Sequence, residues 1–316
     1  MSTPQQPEEI VDYTGFDFPG LWSGRQRVSE VERSIVADAL SRADRRRILE
    51  VGTGFGRLLG TLTALGHEVV ATDFDAGTLE RLSFRDRSDR VTRVASNLYH
   101  LPFVDGAFTA ATLIRVHHHL LEPVAALTEI ARVLRGGAPL VVSYQPRPSV
   151  GTMVNDLQRA VRRSRTTPFE SVTFARDPVV LHAPPFPIRA AGRKQFDREA
   201  RAAGFDPEIE VGAGLEEYAP LRRWKADRFV RLGIALGRAP AFPTRFAVMA
   251  KRTSPAGPLP DRFAILACPR CGFPQPSWSE GGALVCGRCP FEGIRRGPVL
   301  DLRYVPEGAR RWGVVT

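Results

Sequence analysis

The sequence predicts an α/β protein: a doubly wound, mostly parallel sheet of seven strands followed by a small β-rich tail. Three observations carry that reading. Between Arg46 and Gln145, short apolar runs alternate with amphipathic segments, the pattern of βαβ units whose helices cover both faces of a parallel sheet. The first apolar run leads into a glycine-rich turn, ILEVGTGFGRLLG at 48–60. All four cysteines lie beyond residue 267.

Taken in order, the candidate strands are RILEV (47–51), EVVATD (68–73), RVTRVAS (90–96), FTAATLIRV (108–116) and PLVVSY (139–144). Between them, LLGTLTALG and PVAALTEIARVLRGG repeat apolar positions at helical spacing and close on Gly66 and Gly136. The pattern then breaks. Residues 146–190, with NDLQRAVRRSRT and HAPPFP, read as a helix and an irregular proline-rich insertion over a site, a substrate lid carrying Arg159, Arg162, Arg163 and Arg165. Order resumes with RKQFDREARAAGF as a helix, DPEIEVGAG as a strand, EEYAPLRRWKADRFVRLGIALG as a helical segment and RFAVMAKR as the last strand of the sheet. TSPAGPLPD (253–261) breaks any periodicity. The chain therefore divides into an N-terminal arm and helix (1–45), an α/β domain (46–252), a linker (253–261) and a tail (262–316).

Composition narrows the classes. With 43% hydrophobic residues in 316, the chain can bury a large core. Nothing in it approaches the ~18 uninterrupted apolar residues of a membrane span, and MSTPQQPEEIVDY is acidic and polar where a secretion signal is basic and then apolar. A cytoplasmic location is the expectation. The net charge of +10 suits either a polyanionic partner such as RNA or a solvated basic surface; Arg supplies 41 of the 44 basic residues, which also fits a compositional bias.

The glycine spacing selects the ligand. A dinucleotide fingerprint needs G-x-G-x-x-G; here Gly52, Gly54 and Gly56 give G-x-G-x-G, and Arg57 stands where the third glycine belongs. Such a loop still lets a ligand approach bare backbone at the sheet edge, and it suits a ligand without a pyrophosphate. Glu50, two residues before the first glycine, repels phosphate but balances the ammonium of an amino acid. Asp73 ends the second strand, where a carboxylate accepts ribose hydroxyls. Asn97 and Leu98 follow the third, placed for an adenine edge. Ammonium, ribose and adenine together describe S-adenosylmethionine.

On LEVGTGFGR, VVATDFD, SNLYHLPFVDGAF, RVHHHLLEP and EIARVLRGG, in this order and spacing, the chain resembles the class I S-adenosylmethionine-dependent methyltransferases, and among them the branch with the ubiquinone and menaquinone methyltransferases. The resemblance is close over about 45–145 and looser to 252. It implies a Rossmann-like fold and cofactor contacts at Glu50, Gly52, Thr53, Gly54, Gly56, Asp73, Phe74, Asn97, Leu98 and Arg115. Two departures stand out: Asn97 where the family usually has Asp, and Thr109 where Asp usually follows the phenylalanine.

Methyl transfer from a sulfonium depends mostly on placement, so catalytic residues are hard to read. Arg115 and His117, His118 and His119 fall at the end of the fourth strand, the ligand-binding edge of an open α/β sheet. Consecutive side chains on extended backbone point to opposite faces, which argues against a three-histidine metal site. His118 and His119 are the candidates to face the acceptor, where neutral imidazole takes a proton; the alternative has these histidines capping or packing under the next helix. Tyr13 and Trp22, in the arm YTGFDFPGLWSGRQR, either close the pocket or pack the arm against the domain.

Cys268, Cys271, Cys286 and Cys289 form C-x2-C-x14-C-x2-C, two knuckles that supply four thiolates to a closed, structural zinc site. Arg270 and Arg288, one inside each knuckle, offset its negative charge. A cytoplasmic chain disfavours disulfides. FAILACPRCG, ALVCGRC and GPVLDLR resemble the zinc ribbon of the small Trm112-type proteins, which activate methyltransferases as separate subunits. The resemblance implies such a module tethered in cis. The reading is thus a methyltransferase that moves a methyl group from S-adenosylmethionine to a small-molecule acceptor. Its alternatives are an RNA or translation-factor methyltransferase with the ribbon as scaffold, and a non-catalytic partner that binds the nucleoside or RNA.

Overall fold

The computed structural model describes residues 8–41, 43, 47–82, 88–149, 153–154, 156–157, 178–183, 186–217, 224–237, 239–252, 259–261 and 264–313. The arginines of the expected lid, 159 to 165, lie outside these residues, as does most of the linker.

In chain order the elements are β1 (Glu9–Asp12), α1 (Phe18–Leu21), α2 (Gln26–Leu40), β2 (Arg47–Val51), α3 (Leu59–Ala64), β3 (Glu68–Asp73), α4 (Ala76–Glu80), β4 (Val91–Ala95), β5 (Ala110–Leu113), α5 (Pro123–Val133) and β6 (Pro139–Tyr144). They continue with β7 (Val179–Ala183), β8 (Phe186–Ala190), α6 (Arg193–Ala202), β9 (Phe205–Ala213), α7 (Ala226–Leu236) and β10 (Thr244–Lys251). The tail adds β11 (Ser277–Trp278), β12 (Leu284–Val285), β13 (Glu292–Arg296), β14 (Val299–Asp301) and β15 (Arg310–Gly313).

Every residue of β2 is buried, Arg47 and Glu50 included, because a parallel strand in the middle of a sheet is covered on both faces. Each fully buried Ile or Leu, such as Ile48 and Leu49, contributes about 1.5–3 kcal/mol. On one face of the sheet Val31, Ile35 and Leu40 of α2 join Leu59, Leu62 and Leu79. On the other, Leu127 and Ile130 of α5 and Phe196 of α6 cover Leu49, Leu113 and Leu140.

The sheet runs β11-β12-β13-β14-β4-β3-β2-β5-β6-β10-β9. From β14 to β6 all pairs are parallel; β10 runs antiparallel to β6 and β9. The strand order reverses about β2, opening a crevice at the C-terminal strand edges. All seven expected strands are present, but among the described residues the sheet has eleven. β14 pairs in parallel with β4, Val299 to Arg93 and Asp301 to Ala95, and carries the cysteine tail onto what would be an open edge. The union is also apolar: Ile265, Cys268, Leu284, Phe291 and Leu302 pack in one core with Leu101, Phe103 and Phe108. A second pairing was equally unreadable from the sequence. β1 runs parallel to β15, so the N-terminal arm is fastened to the end of the tail. No helix among the described residues is long and apolar enough to cross a membrane.

Candidate active site

Four consecutive sheet strands deliver the cavity. Glu50, Val51 and Gly52 come from the end of β2, Asp73 and Phe74 from β3, Ser96, Asn97 and Leu98 from β4, and Ile114 and Arg115 from β5. Thr53 and Gly54 also line it. The arm forms the roof: Ile10 and Val11 of β1, Tyr13, Phe18 of α1 and Trp22. Both readings open for Tyr13 and Trp22 find support: the two line the cavity, while Tyr13 packs on His119 and Trp22 on the Arg57 guanidinium, against the domain.

The glycine turn follows the backbone logic. Gly52 has φ +68°, and a Cβ there would fall 2.3 Å from the Val116 side chain. Gly54 has φ +52° and open space where its Cβ would stand, so the cavity reaches its bare backbone. Gly56 is different; it faces Leu59 and Leu82 and serves packing, outside the cavity lining. The loop is pinned to β3 by Thr53 N–H to the Thr72 carbonyl at 2.9 Å and by Gly54 N–H to Asp73 Oδ2 at 2.8 Å.

The two carboxylates sit in low-dielectric surroundings. Glu50 is buried, its Oε2 has no hydrogen-bond partner among the described residues, and burial pushes its pKa up to about 8 against the pull of Thr53 and Arg57. Asp73 is raised to about 6, again by burial, although the N–H groups of Asp75 and Gly54 favour its charged form. An orphaned buried carboxylate oxygen needs a donor, and the ammonium of an amino acid is such a donor. Asp73 retains capacity for ribose hydroxyls. These residues fit S-adenosylmethionine.

Arg115 lines the cavity in the left-handed region, φ 63°, with its N–H donating to Ser143 Oγ at 2.6 Å. That conformation ends the strand at Leu113 instead of Val116, and His117–His119 form a single 3-10 turn. The expectation of extended backbone at the histidines is corrected. His117 packs in the core against Phe196 and Tyr144, held neutral by burial and Arg189, which lower its pKa to about 3. His118 is buried and outside the cavity lining. Only His119 of the three lines the cavity, edge-on to Tyr13 with centroids 5.0 Å apart. Its Nδ1 donates to the Pro187 carbonyl at 3.1 Å, so Nε2 is the acceptor nitrogen; burial lowers its pKa to about 4.

Sequence reasoning missed four contributors. Glu32 of α2, fully buried, binds Arg57 at 2.6 Å and Arg115 at 2.5 Å, and the Arg57 guanidinium lies 3.7 Å above the Trp22 ring. Glu8 bonds Asn97 and His100. Arg303 donates to the Phe74 carbonyl, and Arg303 and Arg311 flank the Phe74 ring at 5.5 and 5.2 Å. An acidic residue inside the apolar stripe of α2 was the one signal available for Glu32.

The four cysteines converge: their Sγ atoms all lie within 4.8 Å of one another, with 3.5 Å between Cys268 and Cys289 and 3.6 Å between Cys271 and Cys286. A zinc tetrathiolate with bonds of about 2.3 Å has edges of about 3.8 Å, so the cluster fits that ion. No other group of this kind occurs among the described residues. Arg270 and Arg288 are exposed, with the Arg288 N–H donating to Cys286 Sγ.

Residues 49–142 match the family described as "Methyltransferase domain". The match runs from within β2 to within β6 and takes in β3, β4 and β5, which with β2 deliver the cavity. The chain is 34% identical over 119 residues to a demethylmenaquinone methyltransferase of Renibacterium salmoninarum, covering 38% of this chain and 49% of that protein. It is 32% identical over 131 residues to a probable S-adenosylmethionine-dependent methyltransferase of Mycobacterium tuberculosis, covering 42% and 45%. The chain thus spans about half the length of the curated relatives it matches. Among solved structures, geranyl diphosphate methyltransferase in complex with S-adenosylmethionine superposes with TM-score 0.50 at 16% identity, covering 75% of this chain and 92% of that one, a likeness of fold.

Proposed function

We propose that the protein is an S-adenosylmethionine-dependent methyltransferase acting on a small, largely apolar acceptor, with a structural zinc ion in its tail. The Glu50 carboxylate, with one oxygen unpartnered among the described residues, at the end of the strand beside Asp73 and beneath an aromatic roof, is the observation that carries the reading. The cofactor supplies a methyl group on a sulfonium, whose leaving group departs as a neutral thioether. Glu50 holds the ammonium, Asp73 accepts from the ribose, and Asn97 and the Leu98 backbone meet the adenine. The arm excludes water and, with Val116, Leu120 and His119, bounds the space left for an acceptor. A neutral His119 takes the acceptor's proton at Nε2 where the acceptor carries one. The methyltransferases of small molecules among the relatives support this acceptor class.

Calorimetry with S-adenosylmethionine and S-adenosylhomocysteine tests the cofactor. One site per chain is expected, and uptake of a nicotinamide or flavin dinucleotide in its place would overturn the reading. Transfer of labelled methyl across a panel of quinols, phenols and isoprenoids, with tRNA as the comparison, tests the acceptor class; labelling of tRNA alone would reassign it. Elemental analysis is expected to give one zinc per chain.

A further inference from the structure

The Asn97 side chain is 1% exposed, and every hydrogen-bonding direction but one is already assigned. Its Nδ2 donates to Glu8 Oε1 at 2.7 Å and to the Tyr304 carbonyl at 3.0 Å; its Oδ1 accepts from Tyr99 N–H at 3.1 Å. The opposite amide orientation would set the oxygen against two acceptors and the NH2 against a donor, so the surroundings fix which end is which. An amide oxygen accepts two hydrogen bonds, and one is taken. One acceptor position therefore remains on a residue that lines the cavity.

The two fixing groups come from opposite ends of the chain. Glu8 precedes β1, whose Ile10 and Val11 roof the cavity, and its other carboxylate oxygen meets His100 Nε2 at 2.8 Å. Its carbonyl accepts from Arg310 N–H at 2.7 Å, the start of the β1–β15 pairing. Tyr304 leaves the cysteine tail just after β14.

We propose that Glu8 and the Tyr304 carbonyl are positioning groups that latch the arm shut and, through Asn97, aim a single acceptor at the adenine amine of the cofactor. This rests on the S-adenosylmethionine reading for the adenine and on geometry alone for the latch. An amide is required at position 97 because only an amide satisfies two acceptors on one side and a donor on the other. A carboxylate there would face the Glu8 carboxylate and a carbonyl oxygen with no proton to offer. The site thus turns the usual aspartate into a liability.

The test uses the whole chain loaded with zinc, with calorimetric affinity for S-adenosylhomocysteine and tryptic cleavage at Arg25, where the arm meets α2, as separate readouts. Asn97→Asp is expected to weaken binding about tenfold to hundredfold and to speed arm cleavage. Adding Glu8→Gln, which restores a donor opposite the new carboxylate, is expected to recover most of both. Glu8→Ala in the Asn97 background removes one fixing group at the edge of the fold and is expected to speed cleavage and weaken binding several-fold, a result readable even if Asn97→Asp does not fold. Binding and cleavage unchanged in Glu8→Ala, or a double variant no better than Asn97→Asp, would overturn the proposal. A wild-type protein that ignores S-adenosylhomocysteine would overturn the cofactor reading instead, while arm cleavage in Glu8→Ala would still decide the latch.

Discussion

Glu32 Oε1 receives both Nε and Nη2 of Arg115, at 2.7 and 2.5 Å, from a helix that precedes the sheet to a strand end that borders the cavity. The other oxygen takes Arg57 at 2.6 Å, so one fully buried carboxylate balances two guanidinium groups. Removing one member of a buried pair leaves uncompensated charge and costs about 3–5 kcal/mol. Here the arginines retain 12% and 27% side-chain exposure, which allows water to offset part of that. Glu32→Gln is therefore expected to lower stability by about 2–3 kcal/mol in urea unfolding. It should also weaken S-adenosylhomocysteine binding, because Arg115 is then free to swing into the cavity toward Glu50. Unchanged stability and affinity would show that the arginines hold their places without it.

Glu50 sets a pH dependence. Its folded pKa of about 8 lies above the ordinary 4.5, so its contribution to folding is complete below about 4.5 and is lost as pH rises toward and through about 8. Cofactor binding runs the other way. An ammonium needs the ionised carboxylate, so binding expels a proton and affinity is expected to climb between pH 6 and about 8, before the cofactor's own amino group, with a pKa of about 8, loses its charge. Calorimetry in buffers of different ionisation heat should count that proton. Glu50→Gln is expected to abolish the rising limb and weaken binding at pH 8 about tenfold or more.

The seven strands and the cavity floor were legible because their signals are local. RILEV announces a doubly covered strand, and Glu50, Gly52, Gly54 and Asp73 reach the cavity simply by standing at adjacent strand ends. What stayed hidden is carried by contacts distant in the chain. Glu8 and Asn97 are 89 positions apart, and Asn97 and Tyr304 are 207 apart. β14 has three residues, too few for a period to show. The early end of β5 depends on the left-handed Arg115, whose partners Ser143 and Glu32 belong to other elements. His118 was misjudged for that reason: alternation applies to extended backbone, and the histidines sit on a 3-10 turn.

His119 gives a kinetic prediction. With Nδ1 committed to the Pro187 carbonyl and burial holding its pKa near 4, the ring stays neutral across the working range. The turnover profile of the wild type is expected to show no histidine inflection between pH 6 and 7. His119→Asn keeps an N–H for Pro187 but has no basic nitrogen. For an acceptor that carries a proton, kcat should fall about 10²-fold or more with S-adenosylhomocysteine affinity unchanged. Wild-type turnover in that variant would end the base role.

The proposed metal site should reach the proposed cofactor site through the chain itself. Cys268 and Cys271 stand on one knuckle, Cys286 and Cys289 on the other, and from the second knuckle the backbone runs through β13 and β14 to Arg303, Tyr304 and β15. Those last residues support Phe74, Asn97 and β1. Structural zinc supplies about 10–16 kcal/mol to small metal modules, far more than a few β-ladder hydrogen bonds. Stripping the metal with a chelator, or replacing Cys271 with Ser, is therefore expected to loosen the tail, speed tryptic cleavage of the arm and weaken S-adenosylhomocysteine binding by tenfold or more, by loss of roughly 1.4 kcal/mol or greater. Zinc added back to the stripped protein should restore affinity, whereas the Cys271 variant should stay weak. If stripped protein binds S-adenosylhomocysteine as well as the native form does, the tail is only an edge cover for β4, and the coupling through Tyr304 and β15 does not operate.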